Sequence, residues 1–419
     1  MHIRKRNTCR VCGSSALNQV IELGPQYLQG SFIKPGKEMP SNRRIDCTLI
    51  RCNPQEDENA CGLLQMLHSV PPVILYSAYW YRSGTNNTMR NHLKGIVDAV
   101  TSLTPTKENA FVLDIGCNDG TLLDYYPKSF VKFGCDPSDI AREVKSAIVI
   151  QDIFPSENLF KLLEGKTLDI ITSIAMFYDL EDPVDFVKGI RKFLAPQGVW
   201  LFEMSYMPSM LELDSYDTIC HEHLEYYSLA VLEIVLAKAG LKIFRAEFND
   251  SNGGSLRCYA THLQNSSFDK REYFNVINEL RQKEFDMELD TDKPYLAFQQ
   301  RIIKLKNELH DFLVQLKKEG KKVHIYGAST KGNTILQWCN IDHTLVEYAA
   351  ERNPEKYGAS TLGTNIPIIS EAESRAMNPD YYLVLPWHFK EEFLEREKEI
   401  LEKGTGLIFP LPKLEVYKK

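Results

Sequence analysis

The 419-residue sequence lacks three features that would each indicate a class of function. No apolar run approaches the roughly 18 residues of a membrane-spanning helix, and no apolar stretch follows the basic N-terminal residues, so a secretory signal is not expected. Positive charge is not in excess, because 49 Lys and Arg stand against 56 Asp and Glu, for a net charge of −7. A nucleic-acid or anionic-membrane partner is therefore disfavoured, and we expect a cytoplasmic monomer.

Cysteine is too sparse for a disulfide-dense scaffold, with ten in the chain, but five of them lie in the first 61 residues, and all of these except Cys47 are candidate metal ligands. Cys9 and Cys12 form a CxxC pair followed by Gly13. Cys52 and Cys61 could complete a four-thiolate zinc site, although eight residues separate them where two are usual. A redox CxxC is the alternative, but that motif normally opens a helix after a strand. Four sulfurs leave no position for water, so zinc here would be structural.

The length predicts two or three domains. We assign residues 1–70 to a small zinc-stapled domain, 71–265 to a central domain and 266–419 to a C-terminal domain that begins with a helical spacer over 270–319. In both larger domains short apolar runs alternate with helical stretches, which is typical of α/β folds with a doubly wound parallel sheet. The predicted fold class is therefore α/β.

A glycine turn in the central domain indicates a nucleoside-binding site. Gly116 and Gly120 lie between an apolar strand and a helix start, where the backbone can approach a ligand closely. The spacing is G-x-x-x-G and no lysine follows, so neither a dinucleotide nor a triphosphate fits well. Asp136, about 20 residues later, could accept both hydrogen bonds of a ribose diol. Asp152 and Ile153 offer a polar edge and an apolar face for a base.

This order of motifs resembles the class I S-adenosylmethionine methyltransferases, whose first motif is similar to residues 113–120. The resemblance also explains the absence of a phosphate-binding feature, because the sulfonium cofactor carries no phosphate. It implies a set of cofactor contacts made by Asp114, Gly116, Asn118, Gly120, Asp136, Asp152 and Ile153.

A Cys220-His221-Glu222-His223 segment follows the fifth strand of that domain. In an extended segment His221 and His223 share one face, and a histidine paired with a carboxylate could be a tuned base. A structural histidine pair is the alternative. A zinc hydrolase would need His-Glu-x-x-His on a helix, which is absent. Further on, the turn over 249–257, which ends with Arg257, is either a simple hairpin or faces an oxygen-rich substrate.

The C-terminal domain contains a second glycine loop, over residues 327–334. Its hydroxyls, Lys331 and the backbone donors of a helix N-terminus could form a local cradle for a diphosphate, although a generic strand-to-helix turn is the alternative. Glu351, at the end of the next strand, is placed to bind a nucleoside ribose.

Taken together, the motifs resemble the sugar-nucleotide C-methyltransferase family. This family joins a zinc-binding N-terminal part, a class I methyltransferase core and a second, Rossmann-like α/β domain. The resemblance covers nearly the whole chain, and its segments are residues 9–13, 23–32, 79–84, 113–120, 220–223, 252–257, 326–334, 351–356 and 386–388.

The resemblance implies methylation of the carbon beside the keto group, C-3, of a dTDP- or GDP-linked 4-keto-6-deoxyhexose. His223 would remove the acidic proton, Glu222 would orient or assist it, and the enolate would attack the cofactor methyl. The implied substrate contacts are Asn252, Arg257, Gly327, Ser329, Lys331, Asn333, Thr334 and Glu351.

Two positions depart from the family pattern. Members commonly have Tyr in place of Cys220, and a His in the loop that here reads Ala-Met-Phe-Tyr-Asp over 175–179. A thiol is a poor replacement for a phenol as acid or donor, so Tyr79, Tyr178 or Tyr226 would have to assist His223. Two alternatives stay open: a sugar O-methyltransferase, which needs no enolate, and a non-catalytic, zinc-stapled nucleotide-binding protein, which the two departures favour.

Overall fold

The structure is a computed structural model that describes residues 3–38, 44–76, 82–104 and 109–419. Its main sheets have four, seven and six strands. Within the described residues, no helix combines the length and the apolar character needed to cross a bilayer. The predicted α/β class, with two larger sheets and a small N-terminal unit, is confirmed.

The N-terminal part consists of short strands and one short helix: β1 (Arg4–Lys5), β2 (Leu17–Gln26), β3 (Phe32–Ile33), β4 (Ile45–Cys52), β5 (Leu64–Met66), β6 (His68–Ser69) and α1 (Pro72–Tyr76). Strands β2, β4 and β5 form an antiparallel sheet, and β1 pairs with β6. Leu49, Leu64 and Met66 are fully buried on this sheet. So small a sheet buries too little apolar surface to be stable alone, which is why a metal staple is expected.

The central part alternates strands and helices. Its strands are β7 (Phe111–Ile115), β8 (Val131–Cys135), β9 (Ile148–Ile150), β10 (Leu168–Ile174), β11 (Leu194–Ser205), β12 (Glu225–Tyr226), β13 (Leu241–Asn249) and β14 (Ser255–His262). Its helices are α2 (Asn87–Thr101), α3 (Thr121–Tyr125), α4 (Glu157–Leu163), α5 (Pro183–Phe193), α6 (Met207–Glu212) and α7 (Leu229–Ala239), with 3-10 turns at Ser83–Thr85, Asp139–Glu143, Tyr216–Thr218 and Ser251–Gly253.

Seven of these strands form one sheet in the order β13-β14-β11-β10-β7-β8-β9. The pairings among β7 to β11 are parallel, and β14 runs antiparallel to both of its neighbours. Strand β10 is buried along most of its length, as expected when helices cover both faces of a doubly wound sheet. The carboxyl ends of β7 to β11 therefore meet at one edge, which is where open α/β sheets bind ligands.

Strand β12 does not join this sheet but pairs antiparallel with β5 of the N-terminal sheet. The N-terminal sheet thus has the order β12-β5-β4-β2. Because β12 begins two residues after His223, the histidine segment is attached directly to the cysteine-bearing part of the chain.

The C-terminal part begins with helices α8 (Arg271–Asp286) and α9 (Lys293–Lys318). A second sheet follows, made of β15 (Val323–Tyr326), β16 (Ala349–Glu351), β18 (Ile368–Ser370), β19 (Tyr381–Val384), β20 (Gly406–Phe409) and β21 (Glu415–Tyr417), in the order β18-β16-β15-β19-β20-β21. Strand β17 (Ser360–Thr361) pairs with β3, and the other elements are α10 (Thr330–Trp338), α11 (Glu371–Ala376), α12 (Lys390–Arg396), α13 (Lys398–Glu402) and the 3-10 turns Pro354–Lys356 and Trp387–Phe389.

The segment predicted to be a helical spacer is a packed part of the fold. The apolar stripe of α9, which includes Tyr295, Phe298 and Ile302, is fully buried. It belongs to one core cluster that also contains residues of the N-terminal sheet and of the C-terminal sheet. Its amphipathic pattern indicated a buried face, but the sequence did not show that two sheets share that face.

Candidate active site

The four predicted cysteine ligands converge. The Sγ atoms of Cys9, Cys12, Cys52 and Cys61 all lie within 4.8 Å of one another, with Cys9 and Cys61 3.5 Å apart and Cys12 and Cys52 3.4 Å apart. Tetrahedral zinc with bonds of about 2.3 Å would separate its sulfurs by about 3.8 Å, so the cluster fits the ion. The irregular second half is possible because a turn links the end of β4 to Cys61. The four-thiolate site is closed, and its zinc is structural.

The first glycine turn has the backbone that its sequence demands. Gly116 and Gly120 have φ values of 74° and 80°, in the left-handed region, and Asn118 has 49°. A methyl group on Gly120 would lie 2.8 Å from Val144 Cγ1, so the position also requires a residue without a side chain. Asp114 lies below the turn on β7, where its Oδ1 accepts a hydrogen bond from Thr172 Oγ1 at 2.7 Å. Burial raises the pKa of Asp114 to about 7.

The acids at the ends of β8 and β9 lie beside this turn. Asp136 Oδ2 accepts a hydrogen bond from the backbone N–H of Asn118 at 2.9 Å, and its Oδ1 accepts one from Ser138 N at 2.8 Å. Asp152 Oδ1 accepts from Ile153 N at 2.8 Å. Ile153 is 55% exposed, so its side chain can offer an apolar surface to a flat base. The structure thus brings the predicted nucleoside contacts together at one sheet edge.

The two histidines have different surroundings. His221 is fully buried, with Nδ1 2.7 Å from Gln29 Oε1 and Nε2 3.2 Å from the Ile45 carbonyl. Both ring nitrogens are therefore occupied by the N-terminal part. His221 matches the structural alternative, and burial lowers its pKa to about 4.

His223 is held by one nitrogen only. Its Nδ1 lies 2.7 Å from the Thr218 carbonyl oxygen, which can accept but not donate, so Nδ1 carries the proton. Among the described residues, Nε2 has no hydrogen-bond partner. The Tyr178 ring packs against the imidazole with centroids 4.3 Å apart. Burial, and secondarily the charge of Lys331, lower the pKa of His223 to about 4, which keeps the ring neutral near pH 7.

Glu222 is not hydrogen bonded to His223. Its Oε1 accepts a hydrogen bond from Gly30 N at 2.9 Å, and a methyl group on Gly30 would overlap that oxygen. The carboxyl is buried next to Thr330 of the second glycine loop, and burial raises its pKa. The hydrogen bond of Glu222 thus ties it to Gly30, and the role that the resemblance implied, orienting or assisting His223, stays a prediction. Tyr79, the other predicted assistant, lies outside the described residues.

Arg257 forms an ion pair with a buried carboxylate. It lies opposite Glu203 in the pairing of β14 with β11, and its Nε donates to Glu203 Oε2 at 2.7 Å. Asn249 donates to the same oxygen, and His92 contacts the other one. Burial alone would raise the pKa of Glu203, but His92 and Arg257 outweigh it, and the pKa is lowered. The guanidinium that we expected at the substrate is thus already paired.

The turn that contains Asn252 joins β13 to β14 as a hairpin, and it also touches the C-terminal domain. A methyl group on Gly253 would lie 3.3 Å from the Trp387 ring. Trp387 in turn donates from Nε1 to Asp217 Oδ2 at 2.9 Å. Both alternatives for this turn are therefore compatible with its position, because a hairpin at the domain junction can also line a substrate cleft.

The second glycine loop resembles the first in geometry. Gly327 has φ 84°, and Ser329 caps α10 by accepting a hydrogen bond from Gly332 N at 3.0 Å. Glu351 Oε2 accepts from Ala328 N at 2.9 Å, much as Asp136 accepts from Asn118. A carboxylate at the end of the second strand thus holds the glycine loop in both sheets.

Two predicted substrate contacts on α10 make interdomain contacts. Asn333 Nδ2 donates to the Gln29 carbonyl at 2.6 Å, and Thr334 Oγ1 donates to the Ile219 carbonyl at 3.3 Å. Both side chains are buried. In this arrangement Asn333 is bonded to the N-terminal part and Thr334 to the 216–223 segment, and their binding of a diphosphate stays a prediction. That the loop backbone and Lys331 bind the diphosphate also stays a prediction.

Sequence reasoning missed the residues that connect the domains around His223. Asp217, Trp387 and Gln29 each hydrogen bond across a junction. Asp217 is fully buried, which raises its pKa, and the charge of Lys331 opposes that shift. Thr334 Oγ1 donates to the Ile219 carbonyl, so the helix that follows the second glycine loop contacts the 216–223 segment. Gln29 and Trp387 lie in the family-like segments 23–32 and 386–388, and Asp217 is an acid four residues before His221, but none of these signals indicated a contact between domains.

Three family models match successive parts of the chain: a putative zinc binding domain over residues 9–76, a methyltransferase domain over 89–246 and a C-methyltransferase C-terminal domain over 250–412. The C-methyltransferase NovU of Streptomyces niveus is 25% identical over 423 residues, which cover 98% of this chain and 96% of NovU.

Several solved structures align with about two fifths of the chain. The PH0226 protein of Pyrococcus horikoshii aligns with 15% identity and a TM-score of 0.36 over 43% of this chain and 94% of its own. An S-adenosylmethionine-dependent methyltransferase of Clostridium acetobutylicum aligns with 14% identity and a TM-score of 0.34 over 42% of this chain and 93% of its own.

The family models confirm, in all three parts of the chain, the resemblance drawn from the motifs. The chain is an S-adenosylmethionine-dependent methyltransferase in which a zinc-binding domain precedes the methyltransferase core and a C-methyltransferase C-terminal domain follows it.

Proposed function

We propose that the protein methylates the carbon beside the keto group, C-3, of a nucleoside-diphosphate 4-keto-6-deoxyhexose, with His223 as the general base. The observation that carries this proposal is the tautomer of His223. With Nδ1–H on the Thr218 carbonyl, the lone pair of Nε2 is left to accept a proton. The similarity to a C-methyltransferase along nearly the whole chain supports the same chemistry.

The proposed reaction begins with the C-3 proton. His223 Nε2 takes that proton, and the C–H electron pair moves into the ring while the 4-keto oxygen gains negative charge. S-adenosylmethionine, when bound on the first glycine loop, supplies an electrophilic methyl group. The enolate carbon then forms its bond to this methyl as the methyl–sulfur bond breaks. Proton removal by a positioned base contributes about 10²- to 10⁴-fold to such a reaction.

Lys331 supports the placement of the substrate at the domain junction. Its charge lowers the pKa of His223 and opposes the raised pKa of Asp217, and Thr334 of the same helix bonds the Ile219 carbonyl. We infer that Lys331 would stabilise the enolate oxygen or the diphosphate. A positive charge near the developing oxyanion stabilises it most strongly where water is excluded. The Gly327 loop and Glu351 would then hold the nucleotide from the C-terminal side.

Tyr178 is the side chain best placed to assist the base. Cys220, which stands where family members commonly have Tyr, is fully buried. Tyr178 packs on the His223 ring, and Tyr226 Oη lies 3.5 Å from the same Thr218 carbonyl that holds the imidazole. We infer that Tyr178 orients the imidazole and that Tyr226 supports the carbonyl.

Solvent exchange tests the enolate directly. The protein is incubated in D₂O with a panel of dTDP- and GDP-linked 4-keto-6-deoxyhexoses, without the methyl donor, and the sugar mass is followed. We expect a one-deuterium gain at C-3 that is lost in His223→Gln and retained in His343→Gln, which alters an exposed histidine. Methyl transfer without prior exchange, and to a sugar with no keto group, would indicate an O-methyltransferase instead.

We further propose that the three units act as predicted, with a zinc-binding unit over 1–70, a methyltransferase core over 71–265 and a nucleotide-binding unit over 266–419. Limited proteolysis tests these bounds. Cleavage confined to the neighbourhoods of residues 70 and 265 would agree with them, whereas cleavage inside α9 would not.

A further inference from the structure

A buried arginine projects from between the zinc ligands. Arg10 lies between Cys9 and Cys12, and its side chain is completely buried. Its Nη1 donates to Gln65 Oε1 at 3.1 Å and to the Met66 carbonyl at 2.7 Å, and its Nη2 donates to Ser69 Oγ at 2.7 Å. A structural zinc site needs no such network, because four thiolates already complete the coordination of the metal.

The same guanidinium faces a carboxylate on the histidine segment. Arg10 Nε lies 3.5 Å from Glu225 Oε1, and the Glu225 side chain is also completely buried. Glu225 is on β12, directly opposite Gln65 of β5, and its Oε2 accepts from Leu180 N at 3.3 Å. Burial raises the pKa of Glu225, and the facing guanidinium of Arg10 opposes that rise. Moving either buried side chain would leave the other without its partner, so their positions are coupled.

Leu224 and Glu225, the two residues after His223, hold the loop that carries Tyr178 by two backbone hydrogen bonds. The Tyr178 carbonyl accepts from Leu224 N at 2.7 Å and from Glu225 N at 3.0 Å. The ring of the same Tyr178 packs on the His223 imidazole. Glu225 thereby fixes both the strand that follows the histidine and the loop that carries the tyrosine.

We propose that Arg10 is a positioning residue for His223, and that the zinc knuckle holds the active-site base in register through the Arg10–Glu225 pair. This inference rests on the proposed role of His223 as base. Zinc fixes the backbone on both sides of Arg10, the guanidinium fixes Glu225, and Glu225 fixes the Tyr178 loop against the imidazole. The N-terminal domain thus acts on the reaction through geometry and touches neither substrate nor cofactor.

The test compares two conservative arginine variants. Arg10→Lys keeps the charge but loses the planar fork that reaches Gln65, Ser69 and Glu225 together. Arg51→Lys is the matched control. Arg51 belongs to the same domain and is equally buried, but it pairs with Asp292 at the start of α9, away from His223. Glu225→Gln is the second test variant, since its amide can still accept from Leu180 N while it removes the charge.

The readouts are zinc content, kcat and KM for both substrates, and the ¹⁵N-histidine spectrum, in which the His223 ring signals are assigned by their loss in His223→Gln. We expect Arg10→Lys and Glu225→Gln to keep one zinc, to shift the His223 ring signals, and to lower kcat about 10- to 100-fold with little change in the KM for S-adenosylmethionine. Arg51→Lys should leave the ring signals and kcat unchanged.

Unshifted His223 signals in both test variants would overturn the inference, as would an equal loss of kcat in the Arg51→Lys control. If Arg10→Lys does not fold, Glu225→Gln decides alone. The spectrum separates this inference from the proposed function, because the ring position is observed without turnover. Full turnover by His223→Gln would instead overturn the role of the base and leave the spectroscopic result intact.

Discussion

The protonation of His223 provides a quantitative test of the active site. Burial is the main reason why the pKa of His223 falls from 6.5 to about 4, and the charge of Lys331 acts in the same direction. The Thr218 carbonyl acts in the opposite direction, because it favours the charged ring. A base is active only when neutral, so the rate should fall only as the pH drops through this lowered value.

The expected effect is large at pH 5. With a pKa of 6.5 a histidine would be about 3% neutral there, whereas with a pKa of about 4 it is about 90% neutral. The plateau of kcat/KM should therefore extend down to about pH 5, with about 30-fold more active base than an ordinary histidine would supply. Lys331→Met removes a charge that lowers the pKa, so it should raise the midpoint.

The assay is a titration of the His223 ring signals in ¹⁵N-histidine spectra, alongside kcat/KM against pH. Circular dichroism checks that the protein stays folded, because burial also lowers the pKa of His221 to about 4. A histidine whose folded pKa lies below the unfolded value stabilises the fold above pH 6.5, and that stability is lost as the pH falls toward 4. A His223 midpoint near 6.5 would refute the reasoning, as would a midpoint that Lys331→Met leaves unchanged or lowers.

Three further substitutions test the other sites. Cys52→Ala should abolish zinc binding, measured by metal analysis, and lower the unfolding temperature, because the small sheet depends on the metal. Asp136→Asn should weaken S-adenosylmethionine binding about 10- to 100-fold in calorimetry, since a charged acceptor for the ribose is lost. Gly120→Ala should lower the free energy of unfolding by about 1–3 kcal/mol in denaturant titrations, because its φ is 80° and Val144 is too close.

Each of these has a matched control. Cys47→Ala should keep its zinc, because that buried thiol is not one of the four clustered ligands. Asp98→Asn, an exposed acid on α2, should leave cofactor binding unchanged. Gly165→Ala shares a φ of 80° but has open space around it, so it should cost less than Gly120→Ala. Equal effects of a variant and its control would contradict the corresponding explanation.

Local patterns in the sequence were sufficient to predict the sheets and the edge at which ligands bind. The apolar run of β10 and the turn at Gly116 and Gly120 predicted a doubly wound sheet and a nucleoside site at its edge, and the structure contains both. The cysteine cluster was also predictable despite its irregular spacing. A four-thiolate site requires only that the four sulfur atoms lie close together, and the loops between the cysteines can differ in length.

Contacts between distant segments could not be predicted in this way. The helical pattern of α10 indicated that Asn333 and Thr334 lie near a helix start, but not that Asn333 bonds Gln29 and Thr334 bonds Ile219. In the same way, an acidic residue such as Glu222 next to a histidine suggests a carboxylate–imidazole pair. In the structure its carboxylate instead accepts a hydrogen bond from Gly30 N, in another part of the chain. Periodicity reports that a face is buried and does not report which element buries it.

The pairing of β5 with β12 has a consequence for synthesis of the chain. All four zinc ligands lie within the first 61 residues, so the knuckle can close early. One edge of strand β5 then has no partner strand until residues 225 and 226 have left the ribosome. Open edges are templates for pairing with other chains. Nascent or truncated chains that end before β12 should therefore associate through β5, and a methyltransferase core expressed without its N-terminal sheet would leave β12 and the histidine segment without their support.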